Sequence, residues 1–290
     1  MQARGIELYT RRPSALAFMA RALRPSPGLE VSADLRSIGA RWQALRIGRR
    51  AVETFEHEAG FARPGLGSVL LPHCAGFPLH MALLTRADYP FPIWGALQIR
   101  NSLSQHRPFD PGAAMDLEAG VDSWRQTDKG VEIDVATRLM QRSECCWESL
   151  VTYFYRAKYV PGSTASASPR TAPDLEGARS VGRFRIPTGG RCGFARLTGD
   201  YNGIHQWSWY ARLLGFRDAF AHPQRTAGLC MAKLPPHTSD RQSLDLWIKG
   251  PAYYGAGGEL RATHANDATT FGLFVAGDRR PALVGTWRDE

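Results

Sequence analysis

This 290-residue sequence predicts an α+β protein built from one unit repeated in tandem, each copy a helix followed by several antiparallel strands. Three observations lead there. A run of small and polar residues with three prolines, Pro161 to Pro169 and on through Pro173, divides the chain into comparable halves. Each half holds an apolar helical run entered through a proline and then a series of β-type stretches in the same order. The strands follow one another without helices between them, which is not the alternation that a parallel sheet requires.

Residues 1–35 form an N-terminal extension. Arg11-Arg12 precede the apolar run Ser14 to Ala20, and Arg21 and Arg24 interrupt it. The run is too short to cross a bilayer. It predicts an amphipathic surface helix from about Ser14 to Leu23 in a cytoplasmic protein, with a twin-arginine export signal as the alternative reading.

The first unit spans 36–160. Ala75-Gly-Phe-Pro78 leads into the helical run Leu79 to Leu84, since proline suits a first helical turn, where its missing N–H costs nothing. Strands are expected at Trp94 to Ile99, Met115 to Ala119, Val131 to Leu139 and Trp147 to Tyr155, with a turn at Arg107-Pro108. Residues 161–178 read as a linker, because small polar residues and prolines cannot bury a face.

The second unit, 179–290, repeats the plan. Phe220-Ala-His-Pro223 leads into a helix from Gln224 to Leu234, and Gly250-Pro251 mirrors the proline turn. Strands are expected at Leu244 to Ile248, Glu259 to Ala262, Thr269 to Val275 and Ala282 to Trp287. Ala276-Gly277-Asp278 is the turn of the last hairpin.

Composition narrows the function classes. Hydrophobic residues make up 43% and aromatics 10%, enough for a substantial core. The 36 basic against 27 acidic residues give a net charge of +9 and favour an anionic partner. Zinc-finger spacings, RNP-type aromatics and dense Lys/Arg blocks are missing, so nucleic acid is not expected, and neither is a membrane. A phosphate-bearing small molecule is a sufficient partner. Cys74, Cys145, Cys146, Cys192 and Cys230 include no CxxC, make no disulfide framework or metal site, and read as buried free thiols. Trp207, Trp209, Tyr210, Tyr253 and Tyr254 read as core or interface residues rather than a base-stacking platform. No GxGxxG in βαβ context, P-loop or zincin motif is present, so no cofactor is expected.

The chemistry concentrates in Ala195-Arg-Leu-Thr-Gly-Asp200-Tyr-Asn-Gly-Ile-His205. A glycine-flanked Gly-Asp-x-Asn turn bends the chain sharply, so Asp200 and His205 can face one point. A carboxylate and an imidazole make a proton-handling pair, with reference pKa values of about 3.9 and 6.5. On spacing alone, an Asx-turn aspartate and a structural or surface histidine are the more common readings.

This run, with Tyr210 to Phe216 and Ala221-His222 after it, resembles the signature of the MaoC-like, R-specific enoyl-thioester hydratases. Leu71-Pro72 to Phe91-Pro92, Gly95 and Trp147-Glu148 resemble the degenerate first half of their double-hotdog members, so the resemblance covers roughly residues 45–290. It implies two tandem hotdogs, each a long helix wrapped by an antiparallel sheet. It also implies hydration of trans-2-enoyl thioesters to R-3-hydroxyacyl thioesters, or the reverse dehydration. Asp200 and His205 would be catalytic, with Asn202 and Gly199 positioning them. The expected partner is an acyl-CoA or an acyl-carrier-protein thioester, and a homodimer fits the family's pairing of hotdogs.

The sequence departs from the family pattern at two places. Gly203 stands where proline is usual, which should loosen the loop. Pro223 stands where a glycine usually offers its N–H to the developing oxyanion, and proline has none. The donor would then be the Gln224 backbone, or be absent. The first half has no Asp-x-x-x-x-His ahead of its helix, and Phe77 stands in the place of His222. That half would shape an acyl pocket with Phe77, Met81 and Leu84, joined by His222. A non-catalytic acyl-CoA-binding protein and a thioesterase are the alternatives.

Overall fold

The computed structural model describes residues 5–30, 34–62, 65, 68–156, 163–168, 171–237, 239–276 and 278–290. The chain opens with strand β1 (Ile6–Tyr9) and helix α1 (Ala15–Ala22), whose only buried residue is Phe18. Strand β2 (Gly39–Leu45) follows, then helices α2 (Arg49–Ala59) and α3 (Leu71–Leu84). Four strands complete the first half: β3 (Leu97–Gln105), β4 (Met115–Gln126), β5 (Val131–Gln141) and β6 (Glu144–Tyr155).

The second half begins with β7 (Arg179–Arg185), α4 (Arg191–Thr198), α5 (Ser208–Leu213) and α6 (Pro223–Met231). Strands β8 (Gln242–Ile248), β9 (Gly257–Ala265), β10 (Ala268–Val275) and β11 (Leu283–Asp289) end the chain.

All eleven strands join in one sheet, in the order β1-β2-β4-β5-β6-β3-β8-β11-β10-β9-β7. Read outward from the middle, β3-β6-β5-β4-β2 and β8-β11-β10-β9-β7 have the same connectivity, so the duplication is written in the topology. The two halves meet along an antiparallel β3–β8 ladder running from Arg100↔Trp247 to Gln105↔Gln242. Pairing is antiparallel throughout except for β1, which lies parallel to β2.

The side-chain pattern explains the layers. Along β4, Met115, Leu117, Ala119 and Val121 are buried and the residues between them are not, the period of two expected of a strand with one face on a core. Helix α3 is apolar all round and only Met81 escapes full burial, as suits a helix wrapped by its sheet. Helix α6 is buried from Gln224 to Met231, with Pro223 in its first turn. On β5, Glu132 and Asp134 are buried as well, and each is paired. Arg125 reaches both at 2.9 and 2.7 Å, and Arg100 reaches Glu132 at 3.6 Å. A second buried pair, Arg225 to Glu58 at 2.8 Å, ties α6 to α2 across the halves.

Several sequence expectations need correction. The first central helix begins at Leu71 rather than at Leu79, and Pro78 lies inside it. Burial on all sides holds the helix together although the proline removes one backbone hydrogen bond. Trp94 sits in a 3-10 turn, Ile93–Gly95, and the strand starts only at Leu97. Each half also has a strand and a helix ahead of its central helix, β2 with α2 and β7 with α4, which the unit of one helix and four strands left out.

The thiols are all free, but Cys192 is exposed and Cys145 half-buried, so they are not uniformly core residues. Of the 161–178 segment, residues 161, 162, 169 and 170 lie outside the described residues, as does Gly277 of the last turn. Ser166 and Ser168 of that segment are tied to the sheet. The Ser166 amide donates to the Gln126 carbonyl at 2.9 Å, and the Ser168 hydroxyl accepts from Arg100 at 2.9 Å.

Candidate active site

Helix α4 ends at Gly199, whose φ of +72° is the left-handed conformation that stops a helix and suits glycine. Arg12, from the N-terminal extension, caps this end by donating to the carbonyls of Arg196 at 2.7 Å and Leu197 at 2.9 Å. The chain then makes two successive Asx turns. Asp200 Oδ1 accepts from the Asn202 amide at 2.9 Å, and Asn202 Oδ1 accepts from the Ile204 amide at 3.2 Å. A 3-10 turn over Gly203–His205 brings the histidine round to the same side.

Asp200 Oδ2 lies 3.8 Å from His205 Nε2 and 3.0 Å from His222 Nε2. His205 Nδ1 is 3.0 Å from the Phe220 carbonyl, an acceptor only, so Nδ1 carries the proton. In the neutral imidazole, Nε2 then presents a lone pair to the site. Tyr254 steadies the same residue from behind by donating to the His205 carbonyl at 3.1 Å.

The electrostatics separate the two groups. Burial pushes Asp200 up, but the hydrogen bond from His222 and the charges of His222 and His205 hold it down at about 2. Burial lowers His205 to about 4 against the pull of Asp200. At neutral pH the site therefore holds a carboxylate and a neutral imidazole. Both face outward as acceptors, too far apart to hydrogen-bond each other.

They open onto a cavity of ≈ 650 Å³ between the halves. Phe77, Met81 and Leu84 of α3 line one side, and Gly199, Asp200, Asn202, His205 and His222 line the other. Pro223 and Thr226, at the start of α6, and Gln98 of β3 also reach it, whereas Gln224 does not.

No family model matches the chain. By sequence it is 26% identical to 3-hydroxyacyl-thioester dehydratase X of Mycobacterium tuberculosis over 169 residues, 58% of this chain and 60% of that protein. The match thus spans less than two thirds of the relative's length. In three dimensions it is similar to HtdX of Mycobacterium tuberculosis, with a TM-score of 0.71 and 21% identity, covering 87% of this chain and 100% of that one. A MaoC-like dehydratase from Phytophthora capsici gives a TM-score of 0.68 at 18% identity, covering 90% and 98%. The chain has the MaoC-like hotdog fold.

In this double hotdog, His222 stands closer to the carboxylate than His205 does, although sequence assigned it only to the pocket wall. Its place as N-cap residue of α6 was the available signal. Phe77 lies edge-on to His222, with ring centroids 5.5 Å apart, so the first half packs directly on the candidate site.

Gly203 is buried in the hotdog's loop against Tyr210. A Cβ there would lie 2.5 Å from the Tyr210 ring, so the glycine makes room for that ring. Gln224 is fully buried, and its Nε2 reaches Gln98 Oε1 at 2.6 Å and His73 Nε2 at 3.0 Å. This contact between the halves carried no sequence signal, because Gln98 is one polar residue in an alternating strand. Trp207 and Trp209 are exposed rather than core.

Asp200, His205 and His222 place one ligand atom each within 4.8 Å of the others and could hold a metal ion. The 3.0 Å His222–Asp200 contact is equally that of a charge-assisted hydrogen bond.

Proposed function

We propose that the cavity binds an acyl thioester, and that Asp200 and His205 add water across a trans-2-enoyl thioester or run the reverse dehydration. The observation that carries this reading is the 3.8 Å gap between two unprotonated acceptors at the end of a largely apolar cavity. Two acceptors take the two hydrogens of one water and leave an oxygen lone pair for C3 of the substrate. In hydration His205 Nε2 accepts a water proton as the oxygen bonds to C3, and the proton passes to C2. In dehydration Nε2 takes the C2 proton and returns it to the departing 3-hydroxyl, which leaves as water. Asp200 stays ionised and stabilises the imidazolium formed between the two transfers.

Charge also develops on the thioester oxygen, which needs a donor. Pro223 supplies none. We assign that role to Gln98. Its Oε1 accepts from Gln224 Nε2 at 2.6 Å and its Nε2 lies 3.3 Å from His73 Nε2, which leaves one amide hydrogen for the cavity. Gln224 then positions the donor through its side chain rather than acting through its backbone.

Residues 179–290 supply the proton chemistry in this reading and residues 36–160 the acyl wall. The carrier is coenzyme A or an acyl carrier protein. The similarity to a 3-hydroxyacyl-thioester dehydratase supports the reaction class. Pro223 supports one alternative, a protein that binds acyl thioesters without turning them over.

Incubation with trans-2-enoyl-CoA esters, followed by mass spectrometry, tests the proposal. A product heavier by one water, with no free thiol, is expected. Released thiol would mean hydrolysis instead, and binding without product would favour the non-catalytic alternative.

A further inference from the structure

The cavity mouth is built from residues that line it and yet are exposed: Met19, Trp94, Leu97, Tyr201, Trp207 and Lys249. All but Lys249 are apolar or aromatic. Around this rim the apolar surface continues outward. On and just after α1, Leu16 is 80% and Leu23 81% exposed, and on and after α5, Trp209 is 65%, Leu213 74% and Leu214 54% exposed. Soluble proteins seldom leave so many large apolar side chains clustered in solvent.

The charge beside the rim is mainly positive. Residues 5–30 carry four arginines against two glutamates, one of which, Glu7, is paired with Arg21 at 2.7 Å. Residues 191–218 carry four arginines against Asp200, which lies in the site, and Asp218, which is paired with Arg212 at 3.4 Å. Arg11, Arg24, Arg212 and Arg217 are all exposed.

The two basic, apolar segments are fastened together. Arg12 holds the extension to the end of α4, and the Trp94 indole N–H donates to the Ala22 carbonyl at 3.1 Å. The rim is therefore a surface held in place by the fold.

We infer that this face docks on an anionic lipid surface, with the cavity mouth turned toward the bilayer, so that an acyl chain enters without crossing water. Tryptophan and leucine side chains ringed by arginine are the chemistry of interfacial binding: apolar groups sink to the acyl boundary while guanidinium groups meet headgroup phosphates. A second copy of the chain fits less well, because the same basic face would meet itself. An acidic protein would match the arginines but not the tryptophan–leucine rim. Among the described residues no helix is long and apolar enough to cross a membrane, so the attachment is to the surface only. This revises the expectation from sequence that no membrane is involved.

The test is flotation of the full chain with vesicles of phosphatidylcholine alone and of phosphatidylcholine with phosphatidylglycerol. Binding needs no turnover, so its outcome is independent of the proposed reaction. The chain should float with the anionic vesicles, more weakly as salt rises. Leu16→Glu/Leu23→Glu and Trp209→Ser/Leu213→Ser variants, altered only at solvent-exposed positions, should each bind at least ~10-fold more weakly. Failure to float at low salt overturns the inference. So does binding unchanged in both variants, or a dimer in sedimentation equilibrium that these substitutions dissociate.

Discussion

His222 Nε2 lies 3.0 Å from Asp200 Oδ2, so the carboxylate is held first by the residue that caps α6 and only at longer range by His205. The hydrogen bond fixes the rotamer of Asp200 and keeps it ionised despite burial. His222→Phe, which puts into the second half the residue type found at Phe77, removes that donor. The Asp200 pKa should then rise from about 2, and so should that of His205, which the charge of His222 lowers and which at about 4 sets the acid limb of kcat/KM, so that limb should move up. His222→Gln, which keeps an N–H donor, should move it less. An acid limb unchanged in His222→Phe would remove His222 from the account.

Gly203→Ala should be poorly tolerated. Its Cβ would sit 2.5 Å from the Tyr210 ring, and the ring or the Asp200–His205 loop has to shift. A loss of ~1–3 kcal/mol in urea unfolding and a fall in turnover are expected, with part of the stability returned by adding Tyr210→Ala. Wild-type stability in Gly203→Ala would show that the loop has slack there.

Stability should fall on acidification before the carboxylates titrate. Burial lowers both His80 and His205 to about 4, whereas an unfolded histidine titrates near 6.5. The folded state favours the neutral rings, so their contribution is fully present above about pH 6.5 and is lost as pH falls toward 4. Each contributes a slope of up to ~1.4 kcal/mol per pH unit. Asp200, held down at about 2, adds a further loss only below about pH 4. Urea unfolding at pH 7, 5.5 and 4.5 should show this decline, shallower in His205→Gln by one proton's worth. A flat profile would contradict the burial argument.

The proton chemistry proposed needs no metal, although Asp200, His205 and His222 form a set of donors that could hold one. Dialysis against a chelator should leave turnover unchanged. Loss of activity restored by a divalent ion would replace the water-holding role of the pair with metal binding.

The topology was largely legible because its signals are local. Alternating strands such as β4 and the proline at the start of α6 declare themselves in the sequence. Helix α3 declared itself only in part, because a fully buried helix has no amphipathic period and Pro78 looks like a beginning rather than an interior. The candidate site was legible where it is local, since Asp200, Asn202 and His205 lie within one turn. What sequence missed comes from distant segments: Arg12 capping α4, Gln98 meeting Gln224, and His222 turning onto Asp200 from another helix. Contacts of that kind leave no spacing to read.

The central claim is that Asp200 and His205 together hold and split one water. It is tested most directly by the loss of enoyl ultraviolet absorbance with trans-2-enoyl-CoA, in the wild type and in Asp200→Asn and His205→Gln. The account predicts turnover in the wild type and a fall of at least ~10²-fold in each variant, with acyl-CoA binding retained. Turnover that survives either substitution would contradict it.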